Sequence, residues 1–236
     1  MRKYYQMKSE TFTQTPFQQN TRVVSCEKTN AAICVDPGEW SEAVENYVRD
    51  NDLKLVAIAL THGHLDHVGG TYALHAAFPD AEIIIHPDDE ELYYALQKQP
   101  LFMGIKPEQF AMLGLDYAAP PQITRSWQDA EVFEVGELRF SVRHCPGHTR
   151  GHIVLAELEK KAVFVGDCLF ENSIGRTDLP GGDHEQLLDS IGRNILSLDD
   201  SFEVHSGHGP VTTVGRERTH NPFLNGTYQI GRGRYL

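Results

Sequence analysis

The stretch LVAIALTHGHLDHVGG, residues 55–70, opens as an unbroken apolar run and closes on His62, His64, Asp66 and His67 within six positions. A short, continuous apolar run reads as a strand covered on both faces. Four ionisable side chains crowded at its end would be costly to bury unpaired, and a cation offsets that cost directly.

Three further apolar runs end in the same manner. ELRFSVRHC (137–145) leads into PGHTRGH with His148, AVFVG (162–166) into Asp167, and SFEVHSG (201–207) into His208. Loops at the ends of buried strands are where rigid scaffolds carry chemistry, and histidine with carboxylate is a donor set for zinc, iron or manganese. His62 and His64, two apart, can point the same way, while Asp66 and His67 lie further round the turn. The expected partition is His62, His64 and His148 around one metal, Asp66, His67 and His208 around a second, and Asp167 bridging. Each metal then has three terminal protein ligands and room for a shared water or hydroxide, an arrangement suited to polarising a carbonyl and supplying a nucleophile near neutral pH. His86 and His205, taken singly, read as ordinary hydrogen-bonded residues.

Working outward, RVVSC and AAICVD form an expected hairpin across EKTN, and residues 41–51 an expected helix with Ser41 as N-cap. Residues 69–78 and 88–98 read as helices on either side of a strand in AEIIIHP. Residues 100–127 lose periodicity among Pro100, Pro107, Pro120 and Pro121 and read as an excursion or lid. Strands resume at AEVFEV, and residues 184–198 form a last helix with Asp183 as cap. Because LVAIAL and AVFVG are apolar on both faces, the economical architecture is α+β: an αββα sandwich, two mixed sheets packed face to face with helices outside.

With 236 residues and 40% hydrophobic content, the chain is expected to form a single domain over 1–236. The formal net charge of −12 argues against a nucleic-acid partner, and no stretch is apolar enough for an export signal or a membrane span, so a cytoplasmic protein is expected. Cys26, Cys34, Cys145 and Cys168 contain no CxxC pair and are expected to be reduced thiols. The oligomeric state is not legible.

THGHLDHVGG, CPGHTRGH, VGDCLF and SGHGP, in this order over about 150 residues, resemble the metallo-β-lactamase superfamily. FQQNTRVV, VDPG at 35–38, IGRTDLPGGD at 174–183 and the tail GHGPVTTVGRERTHNPFL are similar to its short glyoxalase II-like (hydroxyacylglutathione hydrolase-like) branch. The resemblance implies a thioesterase acting on a small-molecule substrate, S-(2-hydroxyacyl)glutathione such as S-lactoylglutathione, with two divalent metal ions, zinc foremost and iron or manganese as alternatives. In that family a bridging hydroxide attacks the thioester carbonyl, and Asp66 is the expected proton shuttle. Full-length glyoxalase II enzymes add a helical glutathione-binding domain, whereas 28 residues follow His208 here.

Arg176 and Asp178 are candidates for an outer pair orienting the ligands, against a turn closed by a salt bridge. Cys168 reads as a redox-sensitive thiol or a small buried side chain. Tyr72, Arg143, Arg150, Arg232 and Arg234 are candidate contacts for a glutathione carboxylate. A second function within the superfamily is a glutathione persulfide dioxygenase, with one iron on His62, His148 and Asp167. A β-lactamase would need export, nuclease relatives carry an inserted domain and a basic surface, and a purely structural zinc would be closed and saturated.

Overall fold

Alternation within the strands sorts the apolar side chains into three cores, and those cores define the layers. The computed structural model describes residues 6–102 and 104–226. Its strands and helices run β1 (Met7–Gln14), β2 (Gln19–Cys26), β3 (Ala31–Val35), α1 (Glu42–Asp50), β4 (Lys54–Ala59), α2 (Leu65–Val68), α3 (Thr71–Ala77), β5 (Glu82–Ile85), α4 (Glu90–Tyr94), α5 (Gln99–Phe102) and β6 (Arg125–Ser126). They continue with β7 (Val132–Val135), β8 (Leu138–His144), β9 (Ile153–Glu157), β10 (Ala162–Gly166), β11 (Leu169–Phe170), β12 (Ser173–Ile174), α6 (His184–Asn194), β13 (Glu203–Ser206), β14 (Thr212–Thr213) and α7 (Val214–His220).

Two six-stranded mixed sheets form, in the orders β1-β2-β3-β4-β5-β6 and β14-β13-β10-β9-β8-β7. On β3, β5, β9 and β10 the inward residues Ile33, Val35, Ile84, Ile153, Leu155 and Phe164 meet in the inter-sheet core. The opposite faces of β3 and β5 send Cys34, Ile83 and Ile85 against Val44 and Val48 of α1 and Leu74 of α3. Those of β9 and β10 send Val154, Ala156, Val163 and Val165 against Leu187 and Ile191 of α6. This is the expected αββα sandwich. Burying each large apolar side chain contributes about 1.5–3 kcal/mol, so strands covered on both faces anchor the fold. On β4 the pairing with β3 slips at Ala32/Ile33, skipping Val56, so that Leu55 and Ile58 share the outer core while Ala57 and Ala59 face inward.

Several boundaries differ from expectation. Ser41 occupies the N-cap position of α1 without a side-chain bond, whereas the Asp183 carboxylate does accept the Gln186 N–H. The expected helix over 88–98 is broken into 3₁₀ turns and the short α4, the backbone leaving the helical range at Asp89 (ψ 1°) and Ala95 (ψ 3°), and the carboxylate of Asp89 binds other loops. Strand β1 was unexpected: it is an edge strand paired with β2 from Met7↔Cys26 to Gln14↔Gln19, and its polar outer face hides the pattern. Residues 100–127 are not merely an excursion, since Leu115 and Tyr117 fill the outer core and Trp127 donates its indole N–H to the Leu60 carbonyl at 3.0 Å. Among the described residues, no helix is long and apolar enough to cross a membrane.

The topology gathers strand ends. β8 and β10 both run antiparallel to β9, and β13 runs parallel to β10, so the C-terminal ends of β8, β10 and β13 share one rim. In the other sheet the parallel β3 and β4 end together. Asn20 at the start of β2 ties the rims, its side-chain amide donating to the Ser206 and Gly209 carbonyls at 3.3 and 2.8 Å.

Candidate metal centre

All seven strand-end candidates meet at this rim. His62, His64 and His148 form one cluster and Asp66, His67 and His208 another, with donor atoms in each within 4.8 Å of one another. Asp167 lies between them, Oδ1 being 3.2 Å from His67 Nε2, and Oδ2 3.5 Å from His208 Nε2 and 3.8 Å from His148 Nε2. Asp66 Oδ2 is 3.3 Å from His208 Nε2.

Outward hydrogen bonds fix which ring nitrogen faces inward. His148 Nδ1 donates to the Arg176 carbonyl at 2.8 Å, His208 Nδ1 to the Phe17 carbonyl at 3.0 Å, and His67 Nδ1 to Asp36 Oδ2 at 3.0 Å. Each therefore turns Nε2, with its lone pair, toward the interior. His62 Nδ1 lies 3.0 Å from the Thr61 hydroxyl, leaving a fully buried Nε2 without a hydrogen-bond partner. His64 Nδ1 faces His148 Nε2 at 2.9 Å, and Asp167 Oδ1 is likewise buried without a hydrogen bond. Orphaned inward lone pairs backed by outward donors are the arrangement of metal-ligating histidines, so these residues fit a pair of divalent cations.

Electrostatics divides the clusters. Burial, then the neighbouring His148, pushes His64 down to about 3, and burial likewise holds His62 and His148 below the ordinary imidazole range. Burial also opposes charge on His67 and His208, but Asp167 together with Asp66, and Asp36 beside His67, outweigh it, raising His67 and taking His208 up to about 10. Protons and cations compete for the same Nε2 lone pairs, and a divalent cation answers both carboxylates at once.

Four side chains outside the expected seven hold these loops. Asp36, directly after β3, accepts the Thr61 N–H at 2.7 Å and its hydroxyl at 2.6 Å as well as His67 Nδ1. Buried Asp89 accepts the Gly63 N–H at 2.9 Å, the Thr149 hydroxyl at 2.6 Å and the Gly151 N–H at 2.7 Å, joining the His62 loop to the His148 loop. Gln99 accepts the Leu65 N–H at 2.8 Å and donates to the Gly63 carbonyl at 2.8 Å. His152 accepts the Asp167 N–H at 3.1 Å through Nε2. Asp36 obeys the strand-end rule and was findable in VDPG, whereas Asp89 and Gln99 carry no periodic signal. Gly207 admits no side chain, since a Cβ there would lie 2.2 Å from Asp167 Oδ1 and 2.6 Å from His67 Cε1.

A profile described as the metallo-beta-lactamase superfamily matches residues 14–208. The chain belongs to that superfamily. It is 39% identical over 213 residues to the protein named hydroxyacylglutathione hydrolase GloC of Haemophilus influenzae, covering 89% of this chain and 95% of the relative. Among solved structures it is similar to the BLEG-1 B3 metallo-beta-lactamase, with a TM-score of 0.80 and 33% identity over 92% of this chain and 99% of that one. It is also similar to TTHA1623 in a di-iron-bound form, with a TM-score of 0.75 and 37% identity over 91% of this chain and 100% of that one.

In this metallo-beta-lactamase superfamily member His64, Asp66, His148, Asp167 and His208 line a cavity of about 280 Å³ whose walls include Phe17, Leu65, Leu92, Phe102 and Leu179. Arg176 borders it, but holds His148 through its backbone carbonyl, while its guanidinium is paired in two bonds of 2.7 Å with Asp178. Cys168 is buried, its sulfur 3.2 Å from Cys145 Sγ and 3.2 Å from His152 Nδ1, and burial raises its thiol well above the ordinary range. Tyr72 is exposed on α3, and Arg143 is taken up by the Asn194 carbonyl at 2.8 Å. His86 stacks on His144 with centroids 4.2 Å apart, and His205 stacks on Phe164 at 4.8 Å. Arg232 and Arg234 lie outside the described residues.

Proposed function

We propose that the chain is a thioesterase that hydrolyses S-(2-hydroxyacyl)glutathione, S-lactoylglutathione being the reference substrate, to glutathione and the hydroxy acid. The observation that carries this reading is the convergence of five imidazoles and two carboxylates, with buried unpartnered donor atoms, at one rim, where His64, His148, His208, Asp66 and Asp167 reach the wall of one cavity. The similarity to a protein named hydroxyacylglutathione hydrolase supports the substrate class. His62, His64 and His148 would hold one divalent cation, Asp66, His67 and His208 a second, and Asp167 would touch both. Zinc is the first choice, and the di-iron form of a similar structure makes iron the main alternative. When bound, such a pair polarises a carbonyl and acidifies a water molecule near neutral pH.

The chain's own residues supply the rest. The acyl carbon gains a C–O bond from water and loses its C–S bond, and Asp66, on the cavity wall, accepts the proton that water gives up. The electron pair of the broken bond leaves on sulfur, as a thiolate that is stable near neutral pH, so no dedicated acid is required. Leu65, Leu92 and Leu179 present apolar surface to the acyl group. Four free, buried cysteines fit a reducing, cytoplasmic setting.

The test is thiol release from S-lactoylglutathione by purified, metal-loaded protein under nitrogen. Saturable release that disappears on chelation and returns with metal is the expected result. Absence of thiol release, with oxygen uptake on glutathione persulfide once iron and air are supplied, would replace this reading with the dioxygenase. Opening of a β-lactam ring in place of thioester cleavage would replace it with a lactamase.

A further inference from the structure

A second hollow of about 350 Å³ adjoins the metal cavity and shares Leu92, Phe102 and Pro180 with it. Arg150 lies on its wall, with Asp88, Asp89 and Glu91, the Asp89 carboxylate being taken up by the Gly63, Thr149 and Gly151 donors. Arg150 is two residues beyond His148, so the two Cα atoms are at most about 7.6 Å apart, within the reach of a tripeptide, which spans about 10 Å when extended.

The backbone around Arg150 is pinned on both sides. Thr149 and Gly151 are each bonded to Asp89, at 2.6 and 2.7 Å, and the Arg150 carbonyl accepts from His144 Nε2 at 2.8 Å. Its side chain is exposed, and no described acid lies within ion-pairing distance of its guanidinium. In a chain with 33 acidic and 21 basic residues, an unpaired guanidinium carried by a fixed loop on the wall of this hollow offers a carboxylate two parallel donors. Besides the internally bonded Asp89, Asp88 and Glu91 add two negative charges that suit an ammonium group and repel a polyphosphate.

We propose that this hollow receives the thiol arm of the substrate, and that Arg150 binds its carboxylate while Asp88 and Glu91 face its ammonium group. The inference rests on the thioesterase reading and narrows its substrates to thioesters of zwitterionic, amino-acid-type thiols over those of phosphate-bearing thiols. Specificity for the thiol then comes from the loop that carries His148.

The experiment compares S-lactoylglutathione with the neutral thioester S-lactoyl-N-acetylcysteamine on the metal-loaded wild type, Arg150→Ala and Arg150→Lys. A lost charge-assisted hydrogen-bonded pair corresponds to about tenfold to a hundredfold. The ratio of kcat/KM for the charged over the neutral substrate should fall by that factor in Arg150→Ala, through KM, and recover in part in Arg150→Lys. An unchanged ratio in Arg150→Ala overturns the inference while leaving the thioesterase reading in place. Failure of the wild type to cleave either thioester removes both.

Discussion

His67 Nδ1 sits 3.0 Å from Asp36 Oδ2, with both side chains buried, so the carboxylate decides which nitrogen of the ring carries the proton. Asp36→Asn keeps the shape and reverses that decision: an amide N–H facing Nδ1 makes Nδ1 the acceptor and moves the proton to Nε2. Affinity at the second cluster should fall about tenfold to a hundredfold. Competition with a chromophoric chelator measures it, and wild-type affinity in the variant would contradict the tautomer argument.

Asp89 acts at one remove, through the Gly63, Thr149 and Gly151 donors. Asp89→Ala strands three polar groups in a buried place and should lower stability by at least about 2 kcal/mol. Urea unfolding of metal-free proteins checks this, and a change under about 0.5 kcal/mol would mean that the loops find other partners.

His205 gives the protein an acid-sensitive element outside the candidate metal donors. Burial first, and then Arg22, pull its imidazole down to about 4, although Glu203 lies 3.5 Å from Nε2. The unfolded chain takes up this proton below about pH 6.5, whereas the folded protein takes it up only near pH 4. Its effect on stability is therefore absent above about 6.5 and grows as pH falls toward 4, to a loss of up to about 3 kcal/mol. His205→Phe, stacking on Phe164, should show a flatter pH dependence of unfolding free energy between 6.5 and 4. Parallel curves for the two proteins would contradict it.

The four-layer architecture was legible because LVAIAL and AVFVG have no polar face, a pattern that demands cover on both sides. The seven donors were legible because each stands just past such a run. Asp36 obeys the same rule at β3, yet read only as the last residue of the expected strand AAICVD. Strand β1 escaped because an edge strand needs little apolar surface, its anchors being Phe12 against the outer core and Met7 against the inter-sheet core. Asp89 and Gln99 act on backbone groups distant in sequence, and Arg176 acts on His148 through a carbonyl that every residue possesses. Such contacts depend on where loops meet, and one-dimensional spacing carries no record of them.

The most direct test of the account is equilibrium dialysis of metal-free protein against buffered zinc, with bound metal counted per chain. The convergence of two clusters on Asp167 predicts two equivalents for the wild type and fewer for Asp167→Ala. Saturation of the wild type at one equivalent would contradict the two-cation centre and the hydrolytic chemistry built on it.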